Sequence, residues 1–197
     1  QFPQITIRHN IGNTIDIPNQ LDIKVLTYLS NNTNTGVIAL PVDNARDFTS
    51  GSSILLLLSS LGAENAEIVT STSHTTTSFV TGATALPHNR GDNVQETKYN
   101  QVVVSKSSTL NGVYSVISTA SFQVTQQSTI INDPTGLTTD FYKVQWKNSI
   151  TLALSSSSAP ISVLTYPEGS VADIINPVIL AMGVSENDPK INTTFLI

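Results

Sequence analysis

The stretch Ile5-Thr6-Ile7-Arg8-His9-Asn10-Ile11-Gly12-Asn13-Thr14-Ile15-Asp16-Ile17 decides how this chain is read. Extended to Leu29, nine of the thirteen odd positions from 5 to 29 are aliphatic, against Leu26 alone among the even positions from 4 to 28. A period of two places alternate side chains on one face of a strand, whereas on a helix the same residues would point in every direction. Twenty-five strand residues would reach roughly 80 Å at ~3.3 Å each. A domain of this length is only about 45 Å across. One strand therefore cannot hold the whole pattern, and breaks are expected at Asn10 to Thr14, around Gly12, and at Pro18-Asn19-Gln20. Phe2 to about Ile15 or Ile17 is close to one crossing of a β-sandwich. Such a segment is either the first strand of its own domain, turning back into a second, or an arm that leaves its domain and completes a neighbour's sheet. The first is the commoner arrangement. The second, repeated head to tail, does not close and yields a filament.

Beyond the arm, the same period recurs in short runs rich in β-branched and aromatic residues. They are Leu21 to Leu29, Tyr99 to Ser105, Gly112 to Ile117, Phe141 to Trp146, Ile150 to Leu154 and Ile161 to Tyr166. Turn signals separate them at Asn111-Gly112, Asp133-Pro134-Thr135-Gly136 and Pro167-Glu168-Gly169. Many short strands at this spacing predict an all-β, antiparallel sandwich of the immunoglobulin kind. Asn111-Gly112 is a candidate two-residue hairpin turn, since both residues tolerate positive φ. Ser53 to Leu61 suits a buried strand or a short helix. Val171 to Asn176, capped by Ser170 and stopped by Pro177, suits a short helix. The expected organisation is an arm over residues 1–18 and a single sandwich domain over 19–197.

Composition narrows the function. Of 197 residues, 24 Ser, 25 Thr and 17 Asn make up a third, while charged residues are 12%. Few charges among many hydroxyls describe an exposed β protein rather than a helical enzyme. The net charge is −5, and no Lys or Arg lies between Arg46 and Arg90. Phosphate binding needs clustered cations, so nucleic acid is not an expected partner. The longest aliphatic run, Ile54 to Leu58, is far short of the ~20 residues of a membrane helix. With no cysteine there is no disulfide, thiolate metal site or cysteine nucleophile. Opening at Gln1 is what an exported protein shows after signal removal, although a trimmed or polyprotein-derived chain would look the same. We read the chain as secreted, at the cell surface.

The Ile-alternating, Gly-interrupted arm (Ile5 to Ile17) before a Cys-free, Ser/Thr/Asn-rich β domain resembles the donor-strand pilins, and most of all the archaeal thread subunits. Bacterial chaperone–usher pilins usually carry a disulfide, and this chain has none. The resemblance is one of architecture, without a diagnostic motif. It implies a secreted, glycosylated subunit whose residues 2–17 fill the groove of the next identical subunit. By position, Ile5, Ile7, Ile11, Ile15 and Ile17 would fill the groove, and Gly12 would sit where the partners crowd.

Other signals are weaker. Sequons at Asn31-Asn32-Thr33 and Asn192-Thr193-Thr194 allow N-linked glycans, in numbers no higher than the composition would produce by chance. The hydroxyl-rich tract Ser71 to Ser78 could carry O-glycans but reads equally as a strand. Arg90-Gly91-Asp92 is an integrin-type tripeptide in ordinary turn chemistry, and Asp92, Asn93 and Glu96 offer oxygens to calcium without the alternating spacing of a calcium loop. His9, His74 and His88 form no metal pair, and no nucleophile elbow or phosphate loop occurs. Glu64 and Glu67 read as a solvated turn rather than paired catalytic carboxylates. Neither catalysis nor a cofactor is expected. Lys24, Lys98, Lys106, Lys143 and Lys147 alternate with apolar neighbours. Solvent-facing lysine is the ordinary case, but an inward one could form an isopeptide bond with Asn or Asp, as in some Cys-free surface proteins. The leading expectation is a head-to-tail structural filament serving adhesion or biofilm. Its alternatives are a viral jelly-roll coat or minor capsid protein, and a monomeric carbohydrate-binding sandwich with Trp146 and Tyr142 as its platform.

Overall fold

The computed structural model describes residues 5–60 and 62–163. The alternating stretch becomes a hairpin, β1 (Thr6–Asn10) and β2 (Gly12–Pro18), reversing at Ile11. The free edge of β2 pairs antiparallel with β11 (Ser128–Asp133), giving a three-stranded sheet in the order β1-β2-β11. Ile7 stands opposite Ile15, and Ile15 opposite Ile131. This is how the chain resolves the length problem: Ile7, Ile15 and Ile17 share one face, but in two strands instead of one.

A second sheet has the order β10-β9-β12-β13, built from β9 (Gln101–Ser107), β10 (Ser115–Ser121), β12 (Phe141–Lys147) and β13 (Ile161–Ser162). It packs on the first through Ile7, Ile15, Ile17 and Ile131 on one side and Val102, Val104, Val144 and Trp146 on the other. A third, six-stranded sheet contains β3 (Ile23–Tyr28), β4 (Ala39–Pro41), β5 (Ser53–Leu58), β6 (Glu67–His74), β7 (Ser78–Thr81) and β8 (Asn93–Thr97), in the order β3-β8-β5-β6-β7-β4. Leu55, Leu57, Phe79 and Val94 on one of its faces are covered by Val42, Ala45 and Phe48. Ile68, opposite Leu56 on the other face, joins the first core, so β5 is buried on both sides. That double burial explains the uninterrupted aliphatic run from Ile54 to Leu58. The fold is thus all-β and antiparallel, of sandwich character, and its helical content among the described residues is one 3-10 turn at Ala63–Asn65.

Within the described residues, β2 is the middle strand of its own sheet. The structure differs from the sequence reading in two places, residues 150–154 and Asn111-Gly112. Residues 150–154 are not a strand. The Asn148 side chain accepts the N–H groups of Ile150 and Thr151, each at 2.9 Å, and curls the chain into an Asx turn that ends with Leu152 at φ 61°. Asn111-Gly112 is not a two-residue hairpin either. Residues 108–114 all lie between β9 and β10, and the Gly112 N–H closes a turn onto Thr109 at 3.1 Å. The expected helix at Val171 to Asn176, the turn at Pro167 and the sequon at Asn192 lie outside the described residues.

Gly12 controls the hairpin. Its φ is +79°, and a Cβ added there would meet the Asp133 carbonyl oxygen and lie 2.6 Å from the Pro134 Cα. Both obstacles are backbone, so neither can rotate away. Gly12→Ala should therefore lower stability by about 1–3 kcal/mol or more. Urea denaturation checks this through a fallen midpoint at unchanged slope.

Candidate assembly interface and its polar end

The groove between the first two sheets is lined by rows of alternate residues. β2 contributes Ile17 and Ile15, β11 contributes Ile131, β9 contributes Val102 and Val104, and β12 contributes Trp146 and Val144. Of the expected groove-filling residues, Ile7, Ile15 and Ile17 are buried at 3%, 0% and 1% exposure, and Ile5 packs beside them half-buried. Ile11 belongs to the same alternation yet is 93% exposed, because the chain reverses there. The structure thus brings four of the five isoleucines into the groove of their own domain. Gly12 lies against the backbone of Asp133 and Pro134. Trp146 and Tyr142, at 2% and 0% exposure, are core residues and offer no sugar platform.

Each row ends in a polar residue at the same end of the groove. Two positions on from Val104 is Lys106, two on from Ile131 is Asp133, two before Val144 is Tyr142 with Asp140 before it, and two before Ile15 is Asn13. Strand parity aims them inward. The Lys106 ammonium lies 2.8 Å from Asp133 Oδ2 and 3.7 Å from an Asp140 oxygen. It also donates to Thr135 Oγ1 at 3.1 Å. The Tyr142 hydroxyl donates to Asp133 Oδ2 at 2.9 Å and accepts from Asn13 Nδ2 at 2.7 Å. Thr135 donates its hydroxyl and its N–H to Asp133 Oδ1, at 2.8 and 3.1 Å. Burial pushes the Asp133 carboxyl up, but the bonds from Lys106, Thr135 and Tyr142 together hold it below the usual range. Burial pushes the Tyr142 hydroxyl up, with the Asp133 and Asp140 charges adding to it. The turn at Asp133-Pro134-Thr135-Gly136 closes with the Gly136 N–H on the Asp133 carbonyl at 3.0 Å, and so fixes this end of the groove.

The remaining buried charges serve the six-stranded sheet. Glu96 is 2% exposed on the apolar face. It accepts from the Thr49 N–H at 2.8 Å, from the Thr49 hydroxyl and from Lys24 at 3.0 Å, tying the covering loop down. Asp92 accepts the N–H groups of Ser60 and Asn89 at 2.8 and 2.9 Å and is 1% exposed. The carboxylate of the Arg90-Gly91-Asp92 tripeptide therefore faces the interior, which removes the integrin-type reading. Glu67, expected in a solvated turn, instead opens β6, where it is half-buried, accepts from the Ala85 and Leu86 N–H groups at 2.8 and 3.2 Å and meets His88 Nε2 at 2.8 Å, anchoring that loop. Among the described residues, no three His, Asp or Glu side chains gather as metal ligands. Asn31 is exposed in a bend, while Thr33 of the same sequon is buried, its backbone paired with His88 at 2.8 and 3.0 Å.

The polar end is what sequence reasoning missed. The parity of positions 102, 104 and 106 was available to it, but only the register Tyr142 opposite Lys106 and Asn13 opposite Asp133 brings the four rows to one place. The chain matches no protein-family model, no curated protein and no solved structure.

Two isoleucines of the same alternation should behave differently. Ile15→Ala should cost about 2–5 kcal/mol as a buried truncation, and Ile11→Ala should stay within about 0.5 kcal/mol, both read by urea unfolding. Glu96 and Asp92 are both held below their ordinary values, since their hydrogen bonds outweigh the upward push of burial. A depressed carboxylate stabilises the fold above its unfolded value, about 3.9 for Asp and 4.3 for Glu, and this stability is lost as pH falls through the lower folded value. Unfolding midpoints should therefore drop on acidification below about pH 4. Glu96→Gln should be less stable than the parent at pH 7 but lose less than the parent over that acid range.

Proposed function

We propose that this protein is the structural subunit of an extracellular filament, a pilus or thread, assembled head to tail by donation of its N-terminal segment. The observation that carries the reading is that the groove's filler is the N-terminal segment itself: Ile7, Ile15 and Ile17 are its buried side chains. They are followed by a short coil, residues 19–22, before β3 begins. Every contact the hairpin makes within its own domain could be made identically in a neighbour's groove, with the change confined to that coil. Exchange of an identical element conserves the buried area and the ladder hydrogen bonds, so its cost is limited to the hinge and to association entropy. Because the exchanged segment and the receiving groove are different surfaces, the contact is heterologous and propagates.

In this reading identical subunits are the partners, Asn31 and Asn192 carry N-linked glycans, the chain is exported, and neither catalysis nor a cofactor is involved. Adhesion or biofilm support is the role such a filament serves. The donated element would be a hairpin through Pro18, rather than the single strand expected from the alternation. No observation favours the capsid or carbohydrate-binding alternatives over this reading.

Negative-stain electron microscopy of material from the native source, and of the purified full chain, tests it. Thin unbranched fibres are expected from the full chain and not from a chain lacking residues 1–18. Addition of a peptide of residues 1–18 should restore soluble monomers to the shortened chain by refilling its groove. Monodisperse monomers from both native and purified full chain would overturn the proposal.

A further inference from the structure

Lys106 is the lysine that the fold treats as a core residue. It follows Val102 and Val104 in the inward row of β9, and its side chain is 20% exposed. Lys24 also meets a buried carboxylate, Glu96, but its side chain is 46% exposed and only that one carboxylate faces it among the ion pairs given by the described residues. Around Lys106 there are two carboxylates, Asp133 and Asp140, with side chains 5% and 7% exposed. A buried ion pair is a poor stabilising device, since the loss of hydration offsets most of the attraction. Apolar residues would close this end of the groove at least as well. The arrangement needs another reason.

We propose that Lys106 and Asp133 condense to an intramolecular isopeptide bond, with Asp140 relaying the protons. Amine and carboxylate do not condense in water because the ammonium has no lone pair and the carboxylate is a poor electrophile. Burial works against both charged forms, while the bonds that hold the Asp133 carboxyl below its usual range favour the ion pair, so the neutral pair is the minor state from which the reaction proceeds. Transfer of one proton from the Lys106 ammonium to Asp133, at 2.8 Å, converts the ion pair to an amine and a carboxylic acid without change in net charge. The Nζ lone pair then attacks Asp133 Cγ, and the C=O π electrons move to oxygen. Asp140 accepts a proton from the nitrogen of the tetrahedral intermediate and passes it to the departing hydroxyl, which leaves as water with the C–O bond pair. The product is one Nζ–Cγ amide and one water, and no oxidant or co-reactant is consumed. Hydrogen bonds from the Tyr142 hydroxyl at 2.9 Å and the Thr135 hydroxyl at 2.8 Å hold the Asp133 carboxyl in place for the attack. Fixing the partners in this way supplies a large effective molarity.

The bond would join β9 to β11, which belong to the two facing sheets, across the end of the groove that the N-terminal hairpin fills. It would keep the groove's walls from separating whether the filler came from the same chain or from another. The proposal does not depend on filament formation, and the two fail separately.

Mass spectrometry of the full chain, made in a host without N-glycosylation and denatured before measurement, provides the test. The parent should be lighter than its sequence by the mass of one water. Trypsin does not cut at an acylated lysine. The parent should therefore give one peptide covering residues 99–143, with the missing water localised between Lys106 and Asp133. Lys106→Arg and Asp133→Ala should each have the full sequence mass. Asp140→Asn, which keeps the ion pair, should also have it, or reach the lighter form many-fold more slowly. A parent of full sequence mass that is cut after Lys106 overturns the bond. A lighter Asp140→Asn formed at the parent's rate overturns the relay. Denatured samples give these answers even for a variant that folds poorly.

Discussion

The structure depends on one constraint: a sheet with an apolar face must bury it, and the face presented by β9 and β12 is buried by the chain's own N-terminal hairpin. Val104, Val144 and Trp146 have their counterparts in Ile7, Ile15 and Ile17. Removing the hairpin would expose that face and, along β11, a row of unpaired N–H and C=O groups. Apolar burial and ladder satisfaction are thus supplied together by the first 18 residues. This is why the segment is a structural necessity for its own domain.

The same rows explain the chemistry of the groove's end. An inward row that continues past the core cannot remain apolar, because it meets solvent at the sandwich's rim. Here it is finished with Asn13, Lys106, Asp133, Asp140 and Tyr142 instead of being left open. Hydrogen bonds between 2.7 and 3.1 Å knit Asn13, Tyr142, Asp133, Thr135 and Lys106 into one network, with an Asp140 oxygen 3.7 Å from the Lys106 ammonium. The Gly12 turn, pressed on the Asp133 and Pro134 backbone, ties that network to the hairpin. The six-stranded sheet uses a different device. Single carboxylates, the buried Glu96 and Asp92 and the half-buried Glu67, accept backbone N–H groups from loops and hold those loops in place.

Much of the fold was legible. The alternation from Ile5 to Ile17 and the segments at Tyr99 and Phe141 became strands, because strand burial writes its period directly into residue type; the run from Ile54 to Leu58, which suited a strand or a short helix, became a strand buried on both faces. Ile150 to Leu154 had the same composition and became a turn. Asn148 offers its side-chain oxygen to two N–H groups, a local competitor that apolar periodicity does not register. Asn111-Gly112 had the right turn residues, but the neighbouring strands end at Ser107 and begin at Ser115, too far apart for a two-residue loop. The candidate site was half legible. Four of the five isoleucines named from the alternation lie in a groove, that of their own domain, and Ile11 does not, whereas the Lys106 cluster draws on β2, β9, the end of β11 and the residues before β12, which no local pattern links.

By itself, the sequence determined that this is an antiparallel β protein without disulfides, that its N-terminal segment alternates between an apolar and a polar face, and that Gly12 and Pro18 interrupt it. Those properties follow from side-chain chemistry and backbone freedom, which are local. Only the tertiary structure decided that the alternation doubles back at Ile11, leaving one isoleucine in solvent and burying its neighbours. It also turned the Asp92 carboxylate inward and set a lysine between two buried aspartates. Register and sheet packing are non-local: a residue's partner is chosen by which strands pair, and that choice rests on the burial of the whole face at once.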